Sequence, residues 1–219
     1  MSDLILTIGD KNLSSWSLRP WVLMTQAQIP FTEENIKLDA LYSRKILNEK
    51  SPSGLVPFLS HGDVTVWDSL AIAEYLNDLF PEKNLWPEDR TARAIARSIS
   101  AEMHSGFSAL RTVWPMQFTR EGMRHVTSGG VQRDLDRIND LWTRCRKDFG
   151  ARGDFLFGKF SIADAMYAPV ATRFRTYGIT LPESALHYPS RLLKSAAMQE
   201  WLAAAETETE VIEKDEIGQ

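Results

Sequence analysis

Three hydroxyls stand closest to chemistry in this chain. They are Ser14, Ser15 and Ser17 in Ser14-Ser15-Trp16-Ser17-Leu18-Arg19-Pro20-Trp21. The stretch follows the apolar run Leu4-Ile5-Leu6-Thr7-Ile8, which reads as a buried strand, and it opens an amphipathic segment over residues 17–28 that reads as a helix. A strand-to-helix turn exposes unpaired backbone N–H groups and the positive end of a helix dipole. Hydroxyl donors crowded there suit the binding and stabilisation of an anion. The sequence holds no G-x-S-x-G, G-x-x-x-x-G-K-[ST], G-x-G-x-x-G or H-E-x-x-H, and its four histidines are scattered without metal spacing. A C-x-x-C redox pair at such a helix start is replaced here by Ser14 and Ser17, so the chain has no nucleophilic sulfur of its own for disulfide exchange at that place.

The 219 residues fit one large domain or two modest ones, and 43% hydrophobic with 25% charged residues is ordinary for a globular protein. A net charge of -4 and the lack of a basic, aromatic-interleaved tract exclude a nucleic-acid footprint. No apolar run approaches the ~18 residues of a membrane span, and no signal-peptide pattern is present, so the expectation is a cytoplasmic protein with no membrane partner. The one cysteine, Cys145, cannot form an internal disulfide, and its helical setting between two arginines reads as structural.

The elements needed to position the serines follow in order. Residues 31–37 read as a second strand parallel to the first, residues 41–50 as a short helix or irregular turn, and 57–60 and 64–67 as strands joined by the tight turn His61-Gly62-Asp63. Asp68-Ser69 starts a helix with a broad apolar face of Leu70, Ile72, Ala73, Tyr75, Leu76 and Leu79. After a proline-bounded connector the period becomes helical throughout. One long helix is expected over residues 90–118, with Met103, Phe107, Leu110 and Trp114 as its core stripe and Pro115 near its end. Further helices are expected over 131–149 and 161–175, one or two short ones over 188–205, and the acidic tail 206–219 is expected to fray. Ser161 to Asp164 reads as a capping motif assigned to folding. The resulting division is an α/β domain over 1–81, a linker over 82–87 and an all-helical domain over 88–219.

With these residues in view, the chain resembles the cytosolic glutathione S-transferases. The features that carry the resemblance are Ser-Ser-Trp-Ser-x-Arg after the first strand, Gly54-Leu55-Val56-Pro57-Phe58-Leu59, Asp68-Ser69-Leu70-Ala71-Ile72, and Ser161-Ile162-Ala163-Asp164 in the helical part. The serine motif is similar to the Ser-Ser-Cys-Ser-x-Arg of the zeta class, the maleylacetoacetate isomerase relatives. Trp16 departs from that pattern in place of the cysteine, and Leu55 stands where a polar residue is common. The resemblance implies an N-terminal thioredoxin-like βαβαββα domain, a C-terminal helical bundle domain, glutathione as co-substrate with no metal, and a homodimer.

It also implies roles. Lowering a thiol pKa by roughly two units takes about 2.7 kcal/mol of preferential interaction with the thiolate. One hydroxyl hydrogen bond to a charged acceptor, about 1.5–3 kcal/mol, plus a helix N-terminus is of that size. Ser14 is the expected donor, with Ser15 as second choice and Ser17 as helix N-cap. Val56, before a cis Pro57, is expected to pair with the cysteinyl unit of glutathione as an added strand, and Asp68 with Ser69 to take its γ-glutamyl end. Trp16, His104, Ser108, Arg111 and Trp114 are expected to line the electrophile pocket, the histidine, serine and arginine sharing one helix face; a solvated polar stripe is the alternative. Arg173 and Arg175 read as a surface pair, with binding of an acidic co-substrate as the alternative. The implied activity is attack of the glutathione thiolate on a small electrophile. The alternatives are cis-trans isomerisation of the maleylacetoacetate type and a non-catalytic binding or regulatory protein on the same fold.

Overall fold

The computed structural model describes residues 3–37 and 42–208. The expected frayed tail therefore lies outside the described residues from position 209 onward. A four-stranded sheet in the order β2-β1-β3-β4 is built from β1 (Leu4–Ile8), β2 (Thr32–Asn35), β3 (Phe58–His61) and β4 (Val64–Trp67). β2 is parallel to β1, whereas β3 runs antiparallel to β1 and β4 antiparallel to β3. The β-branched and leucine-rich β1 sits in the middle, the place for a strand that is apolar on both faces.

The alternation of that strand sorts the two faces. Leu4, Leu6 and Ile8 enter the main core with Leu18 and Val22 of α1 (Ser15–Gln26) and Ile72 and Leu76 of α3 (Ser69–Leu79). On the other face Phe58 packs with Ile36 and with Leu47 of α2 (Tyr42–Lys50). α1 packs against α3 on one side and against α7 (Ile162–Thr176) and α9 (Ala196–Ala205) on the other. The main core thus runs unbroken from the sheet into the helical part, where Trp114, Trp142 and Trp201 are fully buried.

The helical part holds α4 (Arg90–Ser105), α5 (Ser108–Val113), α6 (Gly129–Phe149), α7, α8 (Glu183–Leu193) and α9. The single helix expected over 90–118 is thereby corrected to two. The chain breaks at Gly106-Phe107, where Phe107 adopts a left-handed φ of 53° and a Cβ on Gly106 would come within 2.7 Å of the Glu102 carbonyl oxygen. Met103, Phe107, Leu110 and Trp114 are nevertheless all buried, so their spacing marked the core face across a break it could not reveal. α5 stops one residue before the one preceding Pro115, as the steric restriction around an X-Pro bond requires.

α7 starts on a reciprocal capping box. Asp164 accepts from the Ser161 backbone N–H and hydroxyl, both at 2.9 Å, and from the Leu156 N–H at 3.0 Å. Complete burial outweighs these donors and pushes the Asp164 carboxyl up to about 6.

Candidate active site

Sheet register gathers the predicted site at one end. Thr7 of β1 lies opposite Phe58 of β3, and Phe58 lies opposite Trp67 of β4. The chain leaving β1 toward Ser14, the chain entering β3 through Val56-Pro57 and the chain leaving β4 into Asp68-Ser69 therefore emerge at the same sheet edge. The Val56-Pro57 bond is cis, and neither backbone polar group of Val56 is paired among the described residues. The β-strand positions that follow are all in register, so Val56 offers a free N–H and C=O at the sheet's rim.

Ser14, not Ser17, caps α1, which corrects the expected assignment. The Ser14 hydroxyl accepts from the Ser17 N–H at 3.4 Å and donates to the Ser17 hydroxyl at 2.8 Å. Ser17 is fully buried, where it accepts from the Gly9 N–H at 3.0 Å and so ties the end of β1 to the helix start. A capping side chain reaches the third helical residue, and with the helix beginning at Ser15 that residue is Ser17. Ser15 is half-buried and its hydroxyl has no partner among the described residues.

Asp68 caps α3 by accepting from the Leu70 and Ala71 N–H groups at 2.9 and 3.3 Å, in a left-handed conformation with φ 74°. Its second oxygen meets His104 Nε2 of α4 at 2.5 Å, joining the sheet edge to the helical part. Ser69 is buried and accepts from Arg19 at 3.4 Å. Arg19 spreads its guanidinium 4.1 Å from the Trp16 ring centroid, Arg111 approaches the same ring at 5.4 Å, and His104 meets it edge-on at 5.4 Å. Trp16 is thus the platform between the serine turn and α4 and α5.

Positive charge accumulates beneath that platform. Burial first, then Arg173 and Arg111, pull Arg19 down to about 9, with Asp68 opposing them. Arg173 falls to about 10, chiefly by burial, with Arg111 adding to the effect. Arg19 and Arg173 thus remain cations at neutral pH. The Nε groups of Arg19 and Arg111 are buried without hydrogen-bond partners. Donors of this kind are complementary to an anion.

His104, Arg111 and Trp16 are therefore brought together, although the helix break puts the histidine and the arginine on different helices. Ser108 stands exposed at the start of α5 with no hydrogen bond to them, and Trp114 turns into the core, where its indole N–H donates to the Val126 carbonyl and its ring stacks on Tyr177. Arg173 and Arg175 are not a surface pair. Arg173 is buried and donates to the Trp114 and Pro169 carbonyls, and the half-buried Arg175 donates to the Phe118 carbonyl. Cys145 is buried, and burial pushes its thiol up to about 12, so it is inert. The role of Arg19 beneath Ser69 was missed, although the arginine itself is part of the serine motif. Cavities of about 390 Å3 beside Phe174, Arg175 and Leu193, and of about 490 Å3 beside Trp21 and Phe31, are lined by none of the residues gathered at the sheet edge.

The fold is thus a mixed four-stranded sheet followed by helices, with two capped helix starts and an unpaired strand rim at one sheet edge. The chain matches the family model described as glutathione S-transferase, N-terminal domain, over residues 13–79 and that of the glutathione S-transferase, C-terminal domain, over residues 94–204. The chain belongs to the glutathione S-transferase family and lies near its zeta class. It is 32% identical over 168 residues to a probable maleylacetoacetate isomerase of Caenorhabditis elegans, covering 74% of this chain and 76% of that one. It is 43% identical over 124 residues to glutathione S-transferase Z2 of Arabidopsis thaliana, covering 54% and 53%. Some curated relatives are matched over only 32% or 23% of their own length. In fold it is similar to a glutathione transferase homolog from Burkholderia solved with bound glutathione, with a TM-score of 0.70 at 22% identity over 94% of this chain and 99% of that one.

Proposed function

We propose that the chain is a cytoplasmic, glutathione-dependent transferase in which the turn at Ser14 stabilises the bound thiolate. The observation that carries this reading is the convergence at one sheet edge of the capped serine turn, the unpaired Val56 backbone and the Asp68-Ser69 helix start. Val56 N–H and C=O pair with the cysteinyl unit in the manner of an added antiparallel strand. The γ-glutamyl carboxylate meets the Ser69 hydroxyl and the N-terminus of α3, and its ammonium meets Asp68.

Ser14 is the donor to the sulfur. Rotating two hydroxyl hydrogens reverses the 2.8 Å bond, so that Ser17 donates to Ser14 while still accepting from Gly9. The Ser14 proton is then freed for the thiolate without leaving a buried oxygen unsatisfied. The free thiol's proton passes to solvent, and the thiolate attacks the electrophilic carbon with release of a leaving group or addition across a double bond.

Isomerisation of the maleylacetoacetate type is the second reading. The cluster of Arg19, Arg111 and Arg173 favours it, because its surplus positive charge suits an anionic acceptor. Addition of the thiolate to a cis double bond, rotation and expulsion would return glutathione unchanged. The same reading takes residues 1–81 and 88–219 as two domains and the assembly as a homodimer, supported by the half-exposed Trp67 and Val64 on edge strand β4.

Retention on immobilised glutathione, with elution by free glutathione, tests the binding site. Parallel assays with a neutral aryl halide and a cis-unsaturated dicarboxylate separate the two reactions. Failure of retention together with silence in both assays would overturn the proposal in favour of a non-catalytic protein.

A further inference from the structure

The turn that carries Ser14 is held in place from the far end of the chain. β1 leads into it through Gly9, Asp10, Lys11, Asn12 and Leu13. The Glu208 carboxylate grips that segment with both oxygens, one accepting from the Lys11 N–H at 2.6 Å and the other from the Asn12 N–H at 2.9 Å. The Lys11 carbonyl accepts from the Trp201 indole N–H of α9 at 2.8 Å. The Asn12 carbonyl accepts from the Phe118 N–H at 3.0 Å, and the Asn12 side-chain oxygen accepts from the Thr119 N–H and hydroxyl at 2.9 and 3.1 Å.

All the backbone polar groups of residues 11 and 12 are thus satisfied by residues more than a hundred positions away, and none by their own domain. A loop this short would otherwise leave those groups to water and be free to shift. The hold passes directly to the serines. The Ser14 N–H donates to the Asp10 carbonyl at 2.8 Å, and the Ser15 N–H donates to the Leu13 carbonyl at 3.0 Å. Lys11 adds a second anchor. Its ammonium sits between the Trp21 and Trp201 rings at 5.5 and 5.4 Å and pairs with Glu33. The two carboxylate bonds are charge-assisted and directed at adjacent N–H groups, which fixes the height and tilt of the segment more tightly than one bond could.

We propose that Glu208, acting with Asn12, is a positioning residue for thiol activation: it clamps the segment ahead of the serine turn so that the Ser14 hydroxyl stays aimed at the sulfur. The inference rests on the serine reading above. A donor aimed at developing charge loses most of its effect when displaced by a fraction of a bond length, whereas ligand-binding groups on other elements do not move with it. Val56 leads into β3 and Asp68 caps α3, and both are outside the clamp.

Glu208→Gln and Asn12→Ala test this in the full-length protein. The glutamine keeps one acceptor but loses the charge and the second grip. Asn12→Ala frees Thr119 at an exposed position, which spares the fold. The thiolate absorbance of bound glutathione is titrated in each variant, and kcat/KM is followed against pH. The expected result is a bound thiol that titrates about one pH unit higher, with kcat/KM falling about tenfold on the acid side and recovering at high pH. KM for glutathione changes less than about twofold, since the other contacts persist. A purely structural role would lower the melting temperature and leave the titration where it was, and that result in both variants would overturn the proposal. Ser14→Ala and Ser15→Ala run alongside separate the two levels. If either serine variant moves the thiol titration and the clamp variants do not, positioning fails and the serine reading stands. If the clamp variants move it and neither serine variant does, the clamp stands and the donor is another group of the turn.

Discussion

Replacing Ser14 by alanine removes the hydroxyl proposed to face the bound sulfur and leaves the rest of the glutathione site in place. A hydrogen bond from a neutral hydroxyl to a charged acceptor contributes about 1.5–3 kcal/mol, which corresponds to roughly one to two pH units in the thiol's ionisation. A bound thiol poised near 6.5, about two units below a free one, would then titrate near 8. Its thiolate fraction at pH 6.5 falls from about one half to a few per cent, so kcat falls roughly ten- to thirtyfold. The same substitution deletes the helix cap. That contact to the Ser17 N–H is long, at 3.4 Å, so its loss adds only about 1 kcal/mol of destabilisation. Ser17 keeps its bond from Gly9, so the turn remains folded. Ultraviolet difference titration of the glutathione complex reads the thiolate directly, and equilibrium binding reads the affinity, which is expected to change less than about threefold. An unmoved titration in a folded variant, with Ser15→Ala moving it instead, would refute the assignment to Ser14 and place the donor on the free hydroxyl next to it.

Asp68→Asn is expected to act on binding and not on ionisation. It keeps an acceptor for the cap of α3 but loses the carboxylate charge offered to the glutathione ammonium and alters the 2.5 Å contact with His104, so KM for glutathione rises about tenfold while the pH profile of kcat stays fixed. Asp164 has a raised pKa in the folded state, so the stability it confers is complete below pH ~4 and is lost as pH rises through about 6. Because Asp164→Asn does not titrate, chemical denaturation should show the gap between the native protein and this variant widening from pH 7 to pH 4.5 by about 2 kcal/mol. A gap independent of pH would contradict the burial-driven shift. Cys145→Ala should leave kcat unchanged, and in the native protein a thiol reagent should label Cys145 only at the rate of unfolding, as mass spectrometry can follow.

The order of elements was legible because each left a local mark. β1 and β4 run as read from the sequence, at residues 4–8 and 64–67, since unbroken apolar or β-branched runs bounded by turn residues admit little else. The helix starts were legible as residue types but not always to the residue. The reading placed the N-cap of α1 at Ser17, whereas in a run of three serines only the backbone decides which one stops short of helical geometry, and it is Ser14. The break at Gly106-Phe107 escaped the sequence because the buried stripe keeps its spacing across it. Arg173 and Arg175 were read as a surface pair because charge is usually exposed, yet both spend their donors on carbonyls of the irregular segment after α5. The contacts of Glu208 span nearly two hundred residues, and no periodicity or propensity records a contact of that range. Trp16 in place of the zeta-class cysteine was noted as a departure. The structure gives that ring neighbours in Arg19, Arg111 and His104, a packing role that a thiol could not fill.

The central claim is that the edge carrying Ser14, Val56 and Asp68 binds glutathione and ionises its thiol. Its most direct test is the absorbance titration of glutathione bound to the unmodified protein. The account predicts thiolate formation centred roughly two pH units below that of free glutathione. A bound thiol that ionises in step with the free one would contradict it.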